Sequence, residues 1–240
     1  MPHIKIVKSG EIVEVYNYER SVSKKIQSGR RKSFKQRDSR PLSSRPDSIR
    51  RRVKSFTCLV RANLIGETPP AFFTFTVAES VGIERGYEYL ADFWSRVRQN
   101  SIECERYITV PEFQKRGAIH FHLIIWGMNK YAEQERDTRQ IQNLWQRGFV
   151  DCLITDGSQK IAGYMAKYMR KSMFDKRLIG QKAYTASRSC MRSMSVSSEF
   201  ASSHALEAWG LDLSTPPLQD KLFVTQWLGQ GRYRLYKLKT

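Results

Sequence analysis

The stretch CERYITVPEFQKRGAIHFHLIIW, Cys104 to Trp126, decides how the chain is read. Cys104 to Phe113 and Ala118 to Trp126 are apolar runs rich in β-branched and aromatic residues, the composition of strands. Gln114-Lys115-Arg116-Gly117 between them is a short turn of the kind that closes an antiparallel hairpin. The second strand contains His120-Phe121-His122. Side chains alternate faces along a strand, so both imidazoles share a face, about 7 Å apart. Two such histidines can share a divalent metal ion; they could equally decorate a solvent-facing strand. Glu112, ending the first strand, is a candidate third ligand. A hairpin centred on 115 and 116 sets 112 opposite 119, and a shift of one position brings Glu112 beside His120. Two imidazoles and a carboxylate, with positions left for water and phosphate, suit Mg²⁺ or Mn²⁺ acting as a Lewis acid. The metalloprotease pattern H-E-x-x-H is absent, and a cupin would need a carboxylate where Ile125 and Trp126 stand.

Outward from the hairpin, Phe56 to Leu64 and Ala71 to Val77 read as strands. Gly86 to Val97 reads as an amphipathic helix, with Tyr87, Leu90, Ala91, Phe93, Trp94 and Val97 at helical spacing. Tyr131 to Arg147 is polar and helical, Phe149 to Thr155 a strand, and Ser158 to Met173 a helix with Ser158 as N-cap. This order predicts an α+β fold, a central antiparallel β-sheet backed by helices. Leu222 to Leu238 reads as a last hairpin around Gly229-Gln230-Gly231.

The 240 residues suffice for one domain with a full core plus tails. The formal net charge is +18, a field that favours nucleic acid as partner. Residues 1–54 hold sixteen Lys or Arg and five Asp or Glu, and are expected to form a basic, flexible N-terminal arm that tracks phosphates or lies solvated as a tail. The expected division is that arm, a catalytic domain over 55–204, and a C-terminal extension over 205–240. Four scattered cysteines, without a C-x-x-C pair, argue against a zinc ribbon or disulfide framework. No apolar run approaches the roughly 18 residues of a membrane span. Neither a signal peptide nor a membrane partner is expected, which places the protein inside a cell.

The second chemical signal is Tyr164-Met165-Ala166-Lys167-Tyr168-Met169-Arg170-Lys171. At 100° per residue, Tyr164, Lys167, Tyr168 and Lys171 cover one narrow face, while Ile161, Met165, Met169 and Met173 line the adjoining face. Lysine beside a phenol favours phenolate and binds phosphate as a point charge. Taken alone, the helix could also be a basic one whose tyrosines stack on bases. Trp145, Phe149 and Tyr184 are further candidates for stacking or for core.

Joined, E-x7-H-Φ-H on a hairpin followed by Y-x-x-K-Y-x-x-K on a helix resembles the HUH endonuclease superfamily, nearest to rolling-circle initiators of small single-stranded DNA phages, viruses and plasmids. Phe73-Thr74-Phe75-Thr76 looks like that family's first motif, and Tyr184 to Arg188 follows the catalytic helix. The resemblance implies an RRM-like nicking domain with the H-Φ-H strand in the middle of its sheet. It implies that Glu112, His120 and His122 hold one divalent ion, Mg or Mn. A tyrosine then attacks the scissile phosphate, giving a 5′-phosphotyrosine and a free 3′-OH. Tyr164 is favoured as first nucleophile, with Lys167 assisting, Tyr168 as the alternative and Lys171 beside it. Arg50, Arg51, Arg52 and Lys54, Lys115 and Arg116, and Arg188 are the DNA-binding candidates. No G-x-x-x-x-G-K-[ST] occurs, so besides single-stranded origin DNA a host helicase and polymerase are expected partners. The host cytoplasm is the expected place, or the nucleus if the replicon is eukaryotic. The alternatives are a non-catalytic single-stranded nucleic-acid-binding protein, and a transposase or relaxase of the same superfamily.

Overall fold

Regular structure runs through both ends of the chain. The computed structural model describes residues 3–20, 46–66, 69–115, 117–128, 135–157, 159–197, 199–225 and 228–238. Its elements are β1 (His3–Ser9), β2 (Ile12–Tyr18), α1 (Pro46–Asn63), β3 (Ala71–Thr76), α2 (Ile83–Gln99), β4 (Arg106–Phe113), β5 (Ile119–Trp126), α3 (Glu135–Trp145), β6 (Val150–Ile154) and α4 (Lys160–Met173). They are followed by β7 (Thr185–Ala186), β8 (Met194–Val196), α5 (Glu199–Ala208), β9 (Gln219–Thr225) and β10 (Gly229–Lys237). This is an α+β fold with two five-stranded antiparallel sheets where one central sheet was expected. The chain divides into two compact units.

The unit of Pro41–Val60 and Leu64–Met191 carries the sheet β6-β3-β5-β4-β7, with β5 at its centre. Alternation along the strands separates two cores. Phe73, Phe75, Phe121, Leu123 and Ile125 pack on one face with Phe93 of α2 and Trp145 of α3. Phe72, Ile108, Val110, Ile124 and Trp126 pack on the other with Phe56 and Leu59 of α1 and Ile161, Met165 and Met169 of α4. Burying each such Phe or Met contributes about 2 kcal/mol, so both faces are well sealed. Helices α1 and α4 therefore share the face toward which His120 and His122 point.

Phe56 to Leu64, expected as a strand, is instead the second half of α1. Its buried residues continue the helical series Ile49, Val53, Phe56, Leu59 and Val60. A 3.6-residue period begun upstream overrides the β propensity of the local run. Helix α4 starts at Lys160, with Gln159 at the cap position and no side-chain cap bond; Ser158, the expected cap, lies outside the described residues, as do 131–134 of the expected helix before it.

The other unit joins the chain ends, Met1–Arg40 and Arg192–Thr240, with Arg61–Asn63. Its sheet is ordered β8-β1-β2-β10-β9 around Ile6, Val13, Val15 and Tyr236, against which Leu206 and Trp209 pack. Residues 3–18, expected within a flexible arm, are thus mostly two paired strands, because Ile6, Val13 and Val15 alternate toward that core. Residues 21–45 of the expected arm lie outside the described residues. The last hairpin pairs β9 with β10, and Gly229 to Gly231 open its second strand rather than forming the turn. Among the described residues, no helix is long and apolar enough to cross a membrane.

Candidate active site

The hairpin register is the first determinant of the site. Glu112 pairs with His120, and Phe113 with Ile119. The offset arises at the turn, where the Gln114 N–H donates to the Ala118 carbonyl at 2.9 Å and leaves three residues in the loop. Gly117 takes φ +96°, a conformation open to glycine, which a three-residue hairpin loop requires. Of the basic residues in this loop, Lys115 is exposed and Arg116 lies outside the described residues.

Glu112 is only 6% exposed. Its Oε2 lies 2.7 Å from His122 Nε2, and its Oε1 accepts from the Lys171 ammonium. Burial alone would raise this carboxyl, but the hydrogen bonds from His122 and Lys171 outweigh it and hold the group at about 2. His122 Nδ1 is 3.4 Å from the Thr74 hydroxyl, so a proton on Nε2 lets both contacts form: Nε2–H donates to Glu112 and Thr74 donates to Nδ1. The Gln114 amide donates to His120 Nδ1 at 3.3 Å, and the two histidine rings are 6.3 Å apart.

The donor types suit a divalent oxygen- and nitrogen-bound ion. Among the described residues, however, no three His, Cys, Asp or Glu side chains already converge as a ligand set. The Glu112 carboxylate is occupied by Lys171 and His122. An ion taken up here would have to displace the Lys171 ammonium and the shared His122 proton.

Helix α4 crosses this trio. It buries Ile161, Met165, Ala166 and Met169 and exposes Lys167 and Lys171. Ser172, buried, donates to the Pro111 carbonyl beside Glu112 and fixes the helix to β4. Tyr168 stacks on His122 with ring centroids 3.7 Å apart, and its hydroxyl is 2.6 Å from that of Tyr164. Burial, then the Tyr164 hydroxyl and the Glu112 charge, push the Tyr168 phenol up. Tyr164 remains 43% exposed. Phe72 lies against both tyrosines and His122, at 5.3, 6.4 and 5.9 Å. The tyrosines are thus brought onto the histidine face. Lys171 reaches Glu112, whereas Lys167 has no ionic partner among the described residues.

The remaining candidates separate. Arg50 pairs with Asp47 at 4.0 Å and Arg51 donates to the Asp47 carbonyl, while Arg52 points into a pocket beside Tyr184. Lys54 is half-buried and Arg188 exposed. Trp145 is fully buried and donates to the Thr76 carbonyl at 2.8 Å, so it is core and cannot stack on bases; Phe149 is 75% exposed. Thr74, Phe72, Gln114 and Ser172 were not singled out as site residues. Thr74 sat inside the quoted Phe-Thr-Phe-Thr motif, and alternation from it would have placed Phe72 on the same face.

The site is thus a central H-Φ-H strand crossed by a two-tyrosine helix in an antiparallel sheet. Residues 70–173, from the start of β3 to the end of α4, match the model of the replication-associated protein ORF2/G2P family. That match supports a Rep-type replication initiator, with which the HUH superfamily is consistent. No curated protein and no solved structure matches the chain.

Proposed function

We propose that the protein starts rolling-circle replication by nicking one DNA strand with a tyrosine and remaining joined to the 5′ end. The observation that carries this reading is the hydrogen-bonded pair Tyr164 and Tyr168 set over His122. Tyr164 gives up its phenolic proton to solvent, its oxygen attacks the scissile phosphorus, and the P–O3′ bond breaks. The products are a phosphotyrosine on the 5′ side and a 3′-OH, which takes up a proton and can prime a polymerase. Tyr164 is favoured as first nucleophile because it is exposed, whereas Phe72 and His122 cover the ring of Tyr168. The Tyr168 hydroxyl can donate to the Tyr164 oxygen and so favour its phenolate form before attack. Tyr168 is then placed to take a second strand end in a joining step.

Glu112, His120 and His122 would hold a divalent ion, Mg²⁺ or Mn²⁺, which when bound supplies Lewis acidity at the phosphate. Lys171, released from Glu112, and Lys167 would then face the DNA phosphates. The partners of this reading are single-stranded origin DNA, a host helicase and a polymerase. A non-catalytic nucleic-acid-binding protein is favoured over it by one observation, the engagement of Glu112 with Lys171 and His122 in place of an open ligand set. Labelled origin DNA from the protein's own replicon, incubated with Mn²⁺ or with chelator and run on a denaturing gel, separates the two. Metal-dependent cleavage with a covalent adduct is expected; binding without cleavage in either condition would favour the second reading.

A further inference from the structure

Beside α4, a pocket of about 250 Å³ is lined by Arg52, Ser55, Met169, Lys182, Ala183 and Tyr184. It is smaller than the roughly 300–1,000 Å³ of a drug-sized site, with room for one phosphate and part of its nucleoside. Its polar groups are all donors of one kind or another: a guanidinium, an ammonium and two hydroxyls. No carboxylate among the described residues lines it. Among the described residues, Arg52 and Lys182 form no ion pair, and the Ser55 and Tyr184 hydroxyls form no hydrogen bond. Two cations left without a counter-charge around one concavity select an anion.

The pocket walls are fixed. Tyr184 meets Phe56 edge-on at 4.9 Å, and the Lys182 carbonyl accepts from the Tyr87 hydroxyl at 3.1 Å. Thr185 and Ala186 pair with Thr109 and Ile108 at the sheet edge. Met169, which follows Tyr168 on α4, gives the pocket an apolar side that a sugar or base can use.

We propose that this pocket holds a backbone phosphate of the bound DNA strand, with Arg52 and Lys182 on its oxygens and its nucleoside against Tyr184. The proposal takes from the nicking reading only that the ligand is a DNA strand. It explains why the basic run Arg50-Arg51-Arg52 is split: the first two lean on Asp47 and the third is left for the ligand.

The test uses the full chain with both Tyr164 and Tyr168 changed to Phe, in chelator, so that no cleavage is needed. Affinity for a labelled mixed-sequence single strand of about 20 nucleotides, longer than one binding site, is measured against salt concentration. Arg52→Ala with Lys182→Ala should lower the salt slope by between about 0.7 and 1.4, the effect of losing one or two phosphate contacts. Arg52→Lys should keep the slope. The control is Arg98→Ala, which removes an exposed cation from α2 on the opposite face of the sheet. A slope change in the double variant no larger than in that control overturns the proposal. So does a double variant that loses binding of thymidine 5′-monophosphate but keeps that of the strand, since the pocket would then serve a free nucleotide. A protein without any tyrosine adduct can still pass this test, and a working nickase can fail it.

Discussion

The hydroxyls of Tyr164 and Tyr168 stand 2.6 Å apart, one turn from each other on α4. One is exposed and the other is held against His122, so the pair is asymmetric. Tyr164→Phe should therefore abolish the first cleavage of origin DNA. Tyr168→Phe should slow it by about tenfold, the loss of one hydrogen bond that favours the Tyr164 phenolate, and block any second joining step. Single-turnover cleavage on a gel reads both. Equal loss in the two variants would contradict the assignment of separate roles.

A cation held by Glu112 would compete with Lys171, whose ammonium donates to the Glu112 Oε1. Lys171→Ala should tighten Mn²⁺ binding by a few-fold, corresponding to about 1 kcal/mol for an ion pair whose lysine is largely exposed. Calorimetric titration of the variant measures it. Unchanged affinity would show that Glu112 is not a ligand.

Glu112 also carries a pH signature. Its folded value of about 2 lies below the ordinary carboxylate range. A depressed folded value contributes stability that is present above the unfolded value and is lost as pH falls toward the folded one. Urea unfolding of the metal-free protein should therefore weaken from about pH 4.5 downward, and Glu112→Gln should remove that part of the pH dependence. A variant that keeps the same acid sensitivity would place its origin in other groups.

Gly148 has φ +149°, and a Cβ there would lie 2.4 Å from the Thr76 carbonyl oxygen. Backbone cannot yield as a flexible side chain would. Gly148→Ala should cost about 2 kcal/mol or more of stability in chemical denaturation. It should also weaken cleavage, because Thr76 is the register partner of His120. A neutral effect on both would mean that the 147–149 connection rearranges freely.

Much of the site was legible because strand alternation is a local property. His120 and His122 fall on one face by period two alone, and Tyr164 and Tyr168 on one helical stripe by period 3.6, whereas Thr74 joins the histidines only through the register of β3 with β5. The Glu112–His120 register was not fixed by the sequence reading, since it depends on how many residues the turn consumes. The place of α1 was missed because Phe56 to Leu64 is β-prone when read without Ile49 and Val53. The second sheet was hidden for a different reason. β1 and β2 alternate plainly enough, but their partners β8 and β10 begin about two hundred residues downstream, and pairing over that separation leaves no local mark. The carboxylate bond to Lys171 was likewise out of reach, being set by how α4 lies across β4 and β5.

The nucleophile itself tests the account most directly. The protein is allowed to react with labelled single-stranded origin DNA in Mn²⁺, digested with protease, and the nucleotide-bearing peptide sequenced by mass spectrometry. A nucleotide on Tyr164 in the wild-type chain, and none formed in chelator, is the predicted result. A metal-dependent nick with no peptide from 160–173 carrying nucleotide would contradict it.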